Sequence, residues 1–172
     1  MECIETIKGR RSVRRFKAQP VGKEMIEELL DAARMAPSAG NLQARDFIVI
    51  SNKITKQKLK EAALGQSFIE QAPIVIVAVA NIERSSRVYK TRGELYAIQD
   101  ATASVENILL SACSLGLAAC WVGAFDENAV SELLGIPNKT KPIAIIPVGY
   151  ADEEPVAPPK MGLDKVVHWE TW

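Results

Sequence analysis

The chain of 172 residues is long enough to bury a full hydrophobic core, and its length fits a single domain over residues 1–172. With 48% hydrophobic and 24% charged residues it has the composition of an ordinary globular protein, which argues against disorder. Its 21 basic and 21 acidic residues give a net charge of zero, so nothing global favours nucleic acid or an anionic membrane, and an anion must be held by a local cluster.

The first half of the chain alternates helical and strand patterns. Four apolar residues recur at helical spacing on one face, namely Ile26, Leu29, Leu30 and Ala33. Pro37 ends this helix. A later apolar run has the composition of a strand that is buried on both faces. The predicted helices span residues 2–8, 22–35, 55–64 and 66–71, the predicted strands span 47–50 and 73–80, and residues 9–19 form a loop or an extended stretch.

One long helix dominates the second half of the chain. Residues 94–115 are rich in Ala and Ser and nearly apolar all round, which is typical of a buried central helix, and Gly116 ends it. Asp126 caps a further helix that runs to about residue 134. Residues 81–93 are predicted to be a loop, 118–125 and 143–150 strands, and the Pro-rich tail 151–172 weakly helical near 164–168. This alternation predicts a mixed sheet with helices on both faces.

Four arginines and a serine stand close together in the segment 10–15. A guanidinium group can donate two parallel hydrogen bonds to two oxygens of a phosphate, and each of these bonds is charge-assisted. Basic runs are also common on solvated surfaces. The spacing alone therefore leaves a phosphate site and a solvated basic surface open.

Two further segments could lie against a ligand. Residues 36–43 lead from Pro37 into small residues with a hydroxyl and amides, which form either a turn against a planar ligand or an ordinary helix-to-strand loop. Residues 120–125 contain Gly123, which could let a ligand approach the backbone, or they form a core strand with a buried Trp. Ligands in layered folds gather where strands end and helices begin.

The sequence offers little support for other kinds of site. His168 is the single histidine and no Gly-x-Ser-x-Gly elbow accompanies it, so a Ser-His-Asp or Cys-His mechanism is not expected. No His-rich or carboxylate-rich metal cluster, Walker loop or Gly-x-Gly-x-x-Gly motif is present, so we expect no metal site and no Rossmann-type cofactor site. Three scattered cysteines and the lack of a visible signal peptide or membrane-spanning run predict a cytoplasmic protein with reduced thiols.

Taken in order, these segments resemble the nitroreductase family. The matching segments are residues 10–16, 33–43, Gln71-Ala72-Pro73 before a strand, Asp100 with Glu106-Asn107 and Leu109-Leu110 on the long helix, Gly116-Leu117 with 120–125, and the ending 163–169. Because these separated motifs fall in the family order, the resemblance is specific and covers essentially the whole chain. It implies an α+β fold, a three-layer α/β/α sandwich with a mixed, mainly antiparallel sheet, built as an intertwined homodimer. Two FMN sites would lie at the dimer interface, and the helix 94–115 would pack against its partner.

The resemblance also implies roles for the basic residues. Arg10, Arg11 and Ser12 would lie near the phosphate and ribityl chain of FMN. Arg14 would lie near the pyrimidine edge of the flavin ring, where a cation stabilises the charge that builds on reduction. Lys160 is the candidate for the last phosphate contact.

The remaining predicted contacts surround the flavin ring. Gln66 would bond the same pyrimidine edge as Arg14. Backbone groups near N5 of the ring would come from Val122, Gly123 and Ala124. The contacts expected from the other subunit are Pro37, Ser38, Ala39 and Asn41.

The implied function is that of an FMN-dependent NAD(P)H oxidoreductase. NADH or NADPH would give a hydride to the flavin, and a small acceptor such as a nitroaromatic or a quinone would then take the same place, in a ping-pong mechanism. No catalytic side chain is expected, because the flavin carries the chemistry. Two alternatives remain open: a related flavin enzyme acting in dehalogenation or flavin cleavage, and a non-catalytic FMN carrier or redox sensor. A solvated basic loop, or contacts to a phosphate of NADPH, would be formed by Arg84, Arg87, Lys90 and Arg92.

Two departures from the family pattern concern the predicted site. Many relatives carry Gln-Pro-Trp where this chain has Gln43-Ala44-Arg45, which changes the local packing next to the expected interface. Many also carry an arginine one or two residues after the C-terminal basic residue, whereas Met161 and Gly162 follow Lys160 here. The second departure predicts a weaker or shifted phosphate grip at the C-terminal end.

Overall fold

A four-stranded sheet lies at the centre of residues 2–172, the part of the chain that the computed structural model describes. Its strands are β1 Arg45–Ile50, β2 Ile74–Asn81, β3 Ala118–Ala119 and β4 Thr140–Gly149. They lie in the order β1-β2-β4-β3, and each pair of neighbours is antiparallel. Beyond β3, Ser12 makes a parallel bridge to Ala119, so the sheet is mixed and mainly antiparallel, as predicted.

Helices cover the sheet and start and end at the signals expected of them. They are α1 Cys3–Gly9, α2 Lys23–Arg34, α3 Lys53–Ala62, α4 Phe68–Gln71, α5 Ile82–Tyr89, α6 Gly93–Ser114 and α7 Glu127–Leu134. The Asp126 side chain accepts hydrogen bonds from the first amides of α7, and Gly135 ends that helix at a φ of 64°. Gly116, with a φ of 73°, follows α6 in the same way.

The two faces of the sheet carry separate hydrophobic cores, which confirms the three-layer arrangement. Along β2, Val75, Val77 and Val79 pack into one core with residues of α3, α4 and α7. The alternating residues of β2 pack into a second core with residues of α2 and α6. Because successive side chains of a strand point to opposite faces, this strand is buried on both sides, as its composition predicted.

The polar segment 81–93 was predicted to be a loop, and that prediction is wrong. It forms α5 and a 3-10 turn at Lys90–Arg92. The Asn81 side chain caps α5 by accepting from the Arg84 amide, and Ser85 is fully buried. Packing against α6 is close, because a Cβ added at Gly93 would lie 2.5 Å from the Cα of Ser86. Tertiary contacts therefore fold a segment whose polar composition indicates a loop.

The predicted strand over residues 118–125 is shortened to two residues. Cys120 donates its amide to the Pro147 carbonyl at 3.3 Å, and proline has no amide hydrogen with which to return the bond. The ladder therefore stops after Ala119. It resumes as a single bridge between Val122 and Ile145.

The other boundaries move by a few residues. Strand β1 begins at Arg45 and β4 at Thr140, each before the predicted start. In the tail, a 3-10 turn at Leu163–Lys165 replaces the weak helix predicted near 164–168. Within residues 2–172, helices that combine the length and the apolar character needed to cross a membrane are absent.

Candidate functional site

The basic run after α1 lies along the edge of the sheet, next to β3. The Val13 amide donates to the Ala119 carbonyl at 3.1 Å, and the Lys17 amide donates to the Tyr150 carbonyl at 2.9 Å. Val13 and Phe16 are buried in the core, whereas Arg14 between them is exposed. The apolar residues therefore fix the run to the sheet and leave the guanidinium groups at the surface.

A cleft of about 770 Å³ lies over this run. It is lined by Ile7, Lys8, Arg10, Arg11, Ser12, Arg14, Glu106, Pro155, Val156, Ala157, Pro158 and Lys160. Five basic side chains and one acidic side chain line it, so its donor set suits an anion. We call it the arginine cleft. The fold thus brings together Arg10, Arg11, Ser12 and Lys160, which were predicted to lie near the phosphate and ribityl chain, and Arg14, which was predicted to lie near the pyrimidine edge of the flavin ring.

Neighbouring groups orient this basic run. Arg10 forms a 3.6 Å ion pair with Glu106 of α6, and both side chains are partly exposed. Arg11 donates to the carbonyls of Lys8 and Arg10 at 2.7 and 2.8 Å, so it supplies a donor to carbonyls that have no hydrogen-bond partner within α1. The Arg14 backbone amide donates to a carboxylate oxygen of Glu153 at 2.5 Å. Sequence reasoning did not predict Glu153, since the pairing joins two distant parts of the chain.

A second group of predicted residues lies at the same edge of the sheet. The Gln66 side-chain amide donates to the Ala124 carbonyl at 3.1 Å and to the Ala63 carbonyl at 2.9 Å. Val122 is buried and paired with β4, whereas Gly123 and Ala124 are exposed. The basic run pairs with β3, and this segment follows β3 in the chain by a few residues. The two groups are therefore neighbours along the same edge of the sheet.

The thiol of Cys120 lies close to the basic run. It is buried, with 1% of its surface exposed. Burial raises the pKa of this thiol, while the positive charge of Arg14 and a hydrogen bond from Ser12 oppose the change. The thiol is therefore protonated at neutral pH and acts as a small apolar side chain beside the basic run.

The turn over residues 37–43, by contrast, lies outside the arginine cleft of its own chain. It follows α2 and rests on α6, where the Ala39 amide donates to Asp100 at 2.9 Å. On its other side, a Cβ added at Gly40 would meet the Tyr89 hydroxyl at 2.5 Å. The predicted residues of this turn that the single chain does not bring to the cleft are Pro37, Ser38, Ala39 and Asn41.

Arg45 stands beside this turn and has a place that the sequence did not reveal. Its guanidinium donates to the carbonyls of Arg34, Ala36 and Pro37 at 2.7, 2.7 and 3.2 Å, and the residue is 5% exposed. Burial lowers the pKa of this guanidinium, and the carboxylate of Asp100 opposes the change. The only sequence signal was its departure from the family pattern.

The basic side chains of α5 and the following turn have partners within the chain. Arg84 pairs with Asp46 at 2.9 Å, and Arg87 pairs with Glu83 at 3.2 Å. Lys90 donates to the Arg87 carbonyl at 3.1 Å, and Arg92 donates to the Tyr96 hydroxyl at 2.7 Å. These contacts favour the solvated-face interpretation of this basic segment over a site for a nicotinamide phosphate.

His168 lies in the exposed tail and stacks on Trp172 with ring centroids 4.4 Å apart. Its position gives no support to a nucleophilic triad. Across residues 2–172, three or more His, Cys, Asp or Glu residues do not cluster in a way that could hold a metal ion.

Comparison with known proteins finds a matching family model, sequence relatives and solved structures of the same fold. The model of the nitroreductase family matches residues 7–150. A Thermus thermophilus protein named NADH dehydrogenase is 32% identical over 188 residues, covering 93% of this chain and 92% of its own. The structure of an FMN-dependent nitroreductase from Clostridium difficile matches with a TM-score of 0.84 and 31% identity, over 98% of this chain and 99% of its own. That of the Vibrio harveyi NADPH:FMN oxidoreductase complexed with NAD+ matches with a TM-score of 0.92 and 26% identity, over 99% and 77% respectively.

Proposed function

The chain belongs to the nitroreductase family, and on that premise we propose that it is an FMN-dependent NAD(P)H oxidoreductase with one FMN-binding domain over residues 1–172. In this proposal it reduces small acceptors such as nitroaromatics or quinones by a ping-pong mechanism. The observation that carries the proposal is the arginine cleft, whose donor set suits a phosphate. The names of related proteins, an FMN-dependent nitroreductase and an NADPH:FMN oxidoreductase, support the same cofactor and donor.

The phosphate of FMN would occupy the arginine cleft. A phosphomonoester carries a charge of roughly −1.5 to −2 at neutral pH and offers three acceptor oxygens. Arg10 can present two parallel N–H donors to it, Arg11 can donate from the N–H groups that its bonds to Lys8 and Arg10 leave free, and the Ser12 hydroxyl can donate a further hydrogen bond. Lys160 would add a point charge on a flexible stem, a weaker contact than a guanidinium fork.

The flavin ring would extend from the phosphate toward Arg14, Gln66 and residues 122–124. Bound FMN supplies the hydride and electron transfer, and the protein supplies position and electrostatics. The positive charge of Arg14 would favour the anionic, reduced ring. The exposed backbone at Gly123 and Ala124 lets a planar ring approach closely, and the Gln66 bond to Ala124 holds that backbone in place.

The complete site would need a second copy of the chain. The turn residues Pro37, Ser38, Ala39 and Asn41 would reach the FMN of the partner, since they do not line the cleft of their own chain. The tail supports a homodimer, because every residue from 156 to 172 is exposed. Among them, Leu163 is 77% and Trp169 is 83% exposed, an apolar surface that a partner could cover.

No side-chain acid or base is required for this chemistry. Hydride transfer depends on the distance and orientation of the donor over the ring, which the surrounding residues fix. The positions of His168 in the exposed tail and of the buried Cys120 are consistent with such a site.

Anaerobic mixing of the FMN-loaded protein with NADH and then with NADPH tests the proposal. We expect the absorbance of the oxidised flavin to bleach with at least one nicotinamide and to return when a quinone or a nitroaromatic is added. Parallel double-reciprocal plots are expected in the steady state. Bound flavin that stays oxidised in an excess of both nicotinamides would instead support the carrier or sensor alternative. Sedimentation velocity tests the homodimer separately.

A further inference from the structure

The turn over residues 37–43 has an unusual backbone. Gly40, Asn41 and Gln43 all adopt positive φ, at 54°, 54° and 51°. The left-handed region is unfavourable for residues with a side chain, less so for asparagine than for glutamine, so Gln43 in particular adopts a strained conformation. Such a conformation persists only where surrounding contacts determine it, and strained backbone of this kind is concentrated at ligand-binding sites.

One buried charge holds the turn from its N-terminal side. The guanidinium of Arg45 donates to the carbonyls of Arg34, Ala36 and Pro37, which belong to the end of α2 and the start of the turn. These contacts use the planar fork of arginine, which presents several donors in fixed directions. Arg45 therefore fixes the direction in which the chain leaves α2.

An opposite buried charge holds the turn from below. The two carboxylate oxygens of Asp100, on α6, accept from the amides of Ala39 and Ala44 at 2.9 and 3.2 Å. Asp100 is 4% exposed, so these bonds form in a medium of low dielectric constant. Arg45 and Asp100 also attract each other, and together they fix both ends of the strained segment.

The turn so held presents backbone and small groups outward. Pro37, Gly40 and Asn41 are exposed, whereas the two charges that hold them are buried. A connection between α2 and β1 does not itself require left-handed residues, since most such connections are made by ordinary turns. Two buried charged side chains hold this exposed, strained turn in one conformation. This arrangement points to a surface whose shape matters for binding.

We propose that Arg45 and Asp100 are positioning residues for the cofactor, which keep the turn 37–43 in the shape that meets FMN in the partner subunit's site. The inference rests on the proposed function. Neither side chain contacts the cofactor in this account. Their effect is transmitted through the backbone of Ala39 and of its neighbours in the turn.

The first test compares FMN affinities by quenching of flavin fluorescence, at a temperature where circular dichroism shows each variant folded. Arg45→Met should weaken FMN binding at least about tenfold, which corresponds to losing one well-placed interaction of about 1.4 kcal/mol. Arg45→Lys, which keeps the charge but not the fork, should recover part of the loss. Arg34→Met is the matched control, because Arg34 is an exposed arginine at the end of α2, next to the carbonyls that Arg45 binds. A folded Arg45→Met variant that binds FMN as tightly as Arg34→Met would overturn the inference.

Asp100→Asn provides the second variant if Arg45→Met does not fold. The asparagine retains one acceptor oxygen and places an amide donor against the second backbone amide. Hydrogen exchange of the Ala39 and Ala44 amides, measured without FMN, should then speed up while exchange in the strand β2 is unchanged. Equal exchange at the turn and equal FMN affinity in Asp100→Asn would contradict the inference.

Mixed dimers distinguish a positioning role from general destabilisation. If the turn serves the partner's site, combining Arg45→Met subunits with Arg14→Ala subunits places both defects at one site and neither at the other. About half of the sites in such mixed dimers should then recover the unaltered FMN affinity. No recovery would contradict positioning in trans. An unaltered protein that fails to bind FMN would refute the proposed function as well, whereas loss of the Arg45 effect alone would leave that function standing.

Discussion

The arginines of the basic run and Arg45 are chemically identical side chains in opposite environments. Arg10 and Arg14 line an open cleft, where only one acidic side chain accompanies five basic ones. Arg45 is 5% exposed and its guanidinium is bound to three backbone carbonyls. The first group has donors that a ligand can reach, whereas the second has its donors committed to the chain.

This difference shows what separates a binding arginine from a structural one. A buried guanidinium such as that of Arg45 contributes to the fold, because removing it leaves acceptors inside the protein without donors. A guanidinium at the surface contributes little to folding, since exposed ion pairs are worth at most about 1 kcal/mol. The cost of mutation should therefore appear in unfolding for Arg45 and in ligand affinity for Arg10 and Arg11.

The largest effect on stability is expected at Arg45. Arg45→Met should lower the free energy of unfolding by about 3 kcal/mol, since it leaves three buried or half-buried carbonyls without their donor and removes the positive charge that attracts Asp100. Chemical denaturation followed by circular dichroism measures this change. Arg34→Met should change it by less than about 1 kcal/mol, because Arg34 is exposed and forms a surface pair with Asp31. Equal effects at the two positions would remove the distinction between them.

The next effect concerns the cleft and should appear in binding. The double variant Arg10→Gln, Arg11→Gln should bind FMN at least about 100-fold more weakly, since each charge-assisted contact is worth about 1.5–3 kcal/mol. Its free energy of unfolding should stay within about 1 kcal/mol of the unaltered protein, because both side chains lie at the surface. Fluorescence titration and denaturation measure the two quantities on the same preparation. A loss of stability without a loss of FMN affinity would show that Arg10 and Arg11 are structural residues and not ligand contacts.

A smaller effect is expected at the C-terminal end of the cleft. Lys160→Ala should weaken FMN binding by roughly fivefold. The effect is small because an exposed lysine makes a single-point contact and loses side-chain conformational entropy when it does so. The same fluorescence titration measures it. A loss as large as that of the arginine pair would show that Lys160 provides a main phosphate contact and that the missing downstream arginine has no consequence.

The smallest effect is expected at Arg15, the arginine next to Arg14 in sequence. Its side chain is directed to Asp152, with an ion pair of 3.5 Å, and it does not line the cleft. Arg15→Ala should change FMN affinity by less than about twofold and stability by less than about 0.5 kcal/mol. An effect equal to that of Arg14→Ala would mean that the charge of the whole run matters, not the position of each side chain.

Sequence reasoning predicted the parts of the molecule that local patterns control. The strand β2 and the long helix α6 both have the apolar composition of buried elements, and both predictions were confirmed. Helix α5 was missed because its stability comes from packing on α6, which polar composition does not reveal. The strand after Ala118 was overestimated because its partner carries Pro147, and strand pairing is not visible before the fold is known.

The candidate site divides in the same way. Five residues that line the arginine cleft, Arg10, Arg11, Ser12, Arg14 and Lys160, were predicted as cofactor contacts from the family resemblance, and the fold does bring them to one place. The position of Arg45 could not be predicted. Its three acceptors are backbone carbonyls, which every residue carries, so no sequence pattern marks them.

The central claim is that the arginine cleft holds the phosphate of FMN, and the affinities of FMN and riboflavin test it most directly, because the two ligands differ by that phosphate. The unaltered protein should bind FMN at least about 100-fold more tightly than riboflavin at low ionic strength. The double variant Arg10→Gln, Arg11→Gln should bind the two ligands with nearly equal affinity. Equal affinities for the unaltered protein, or a preference for FMN that survives in the double variant, would contradict the claim.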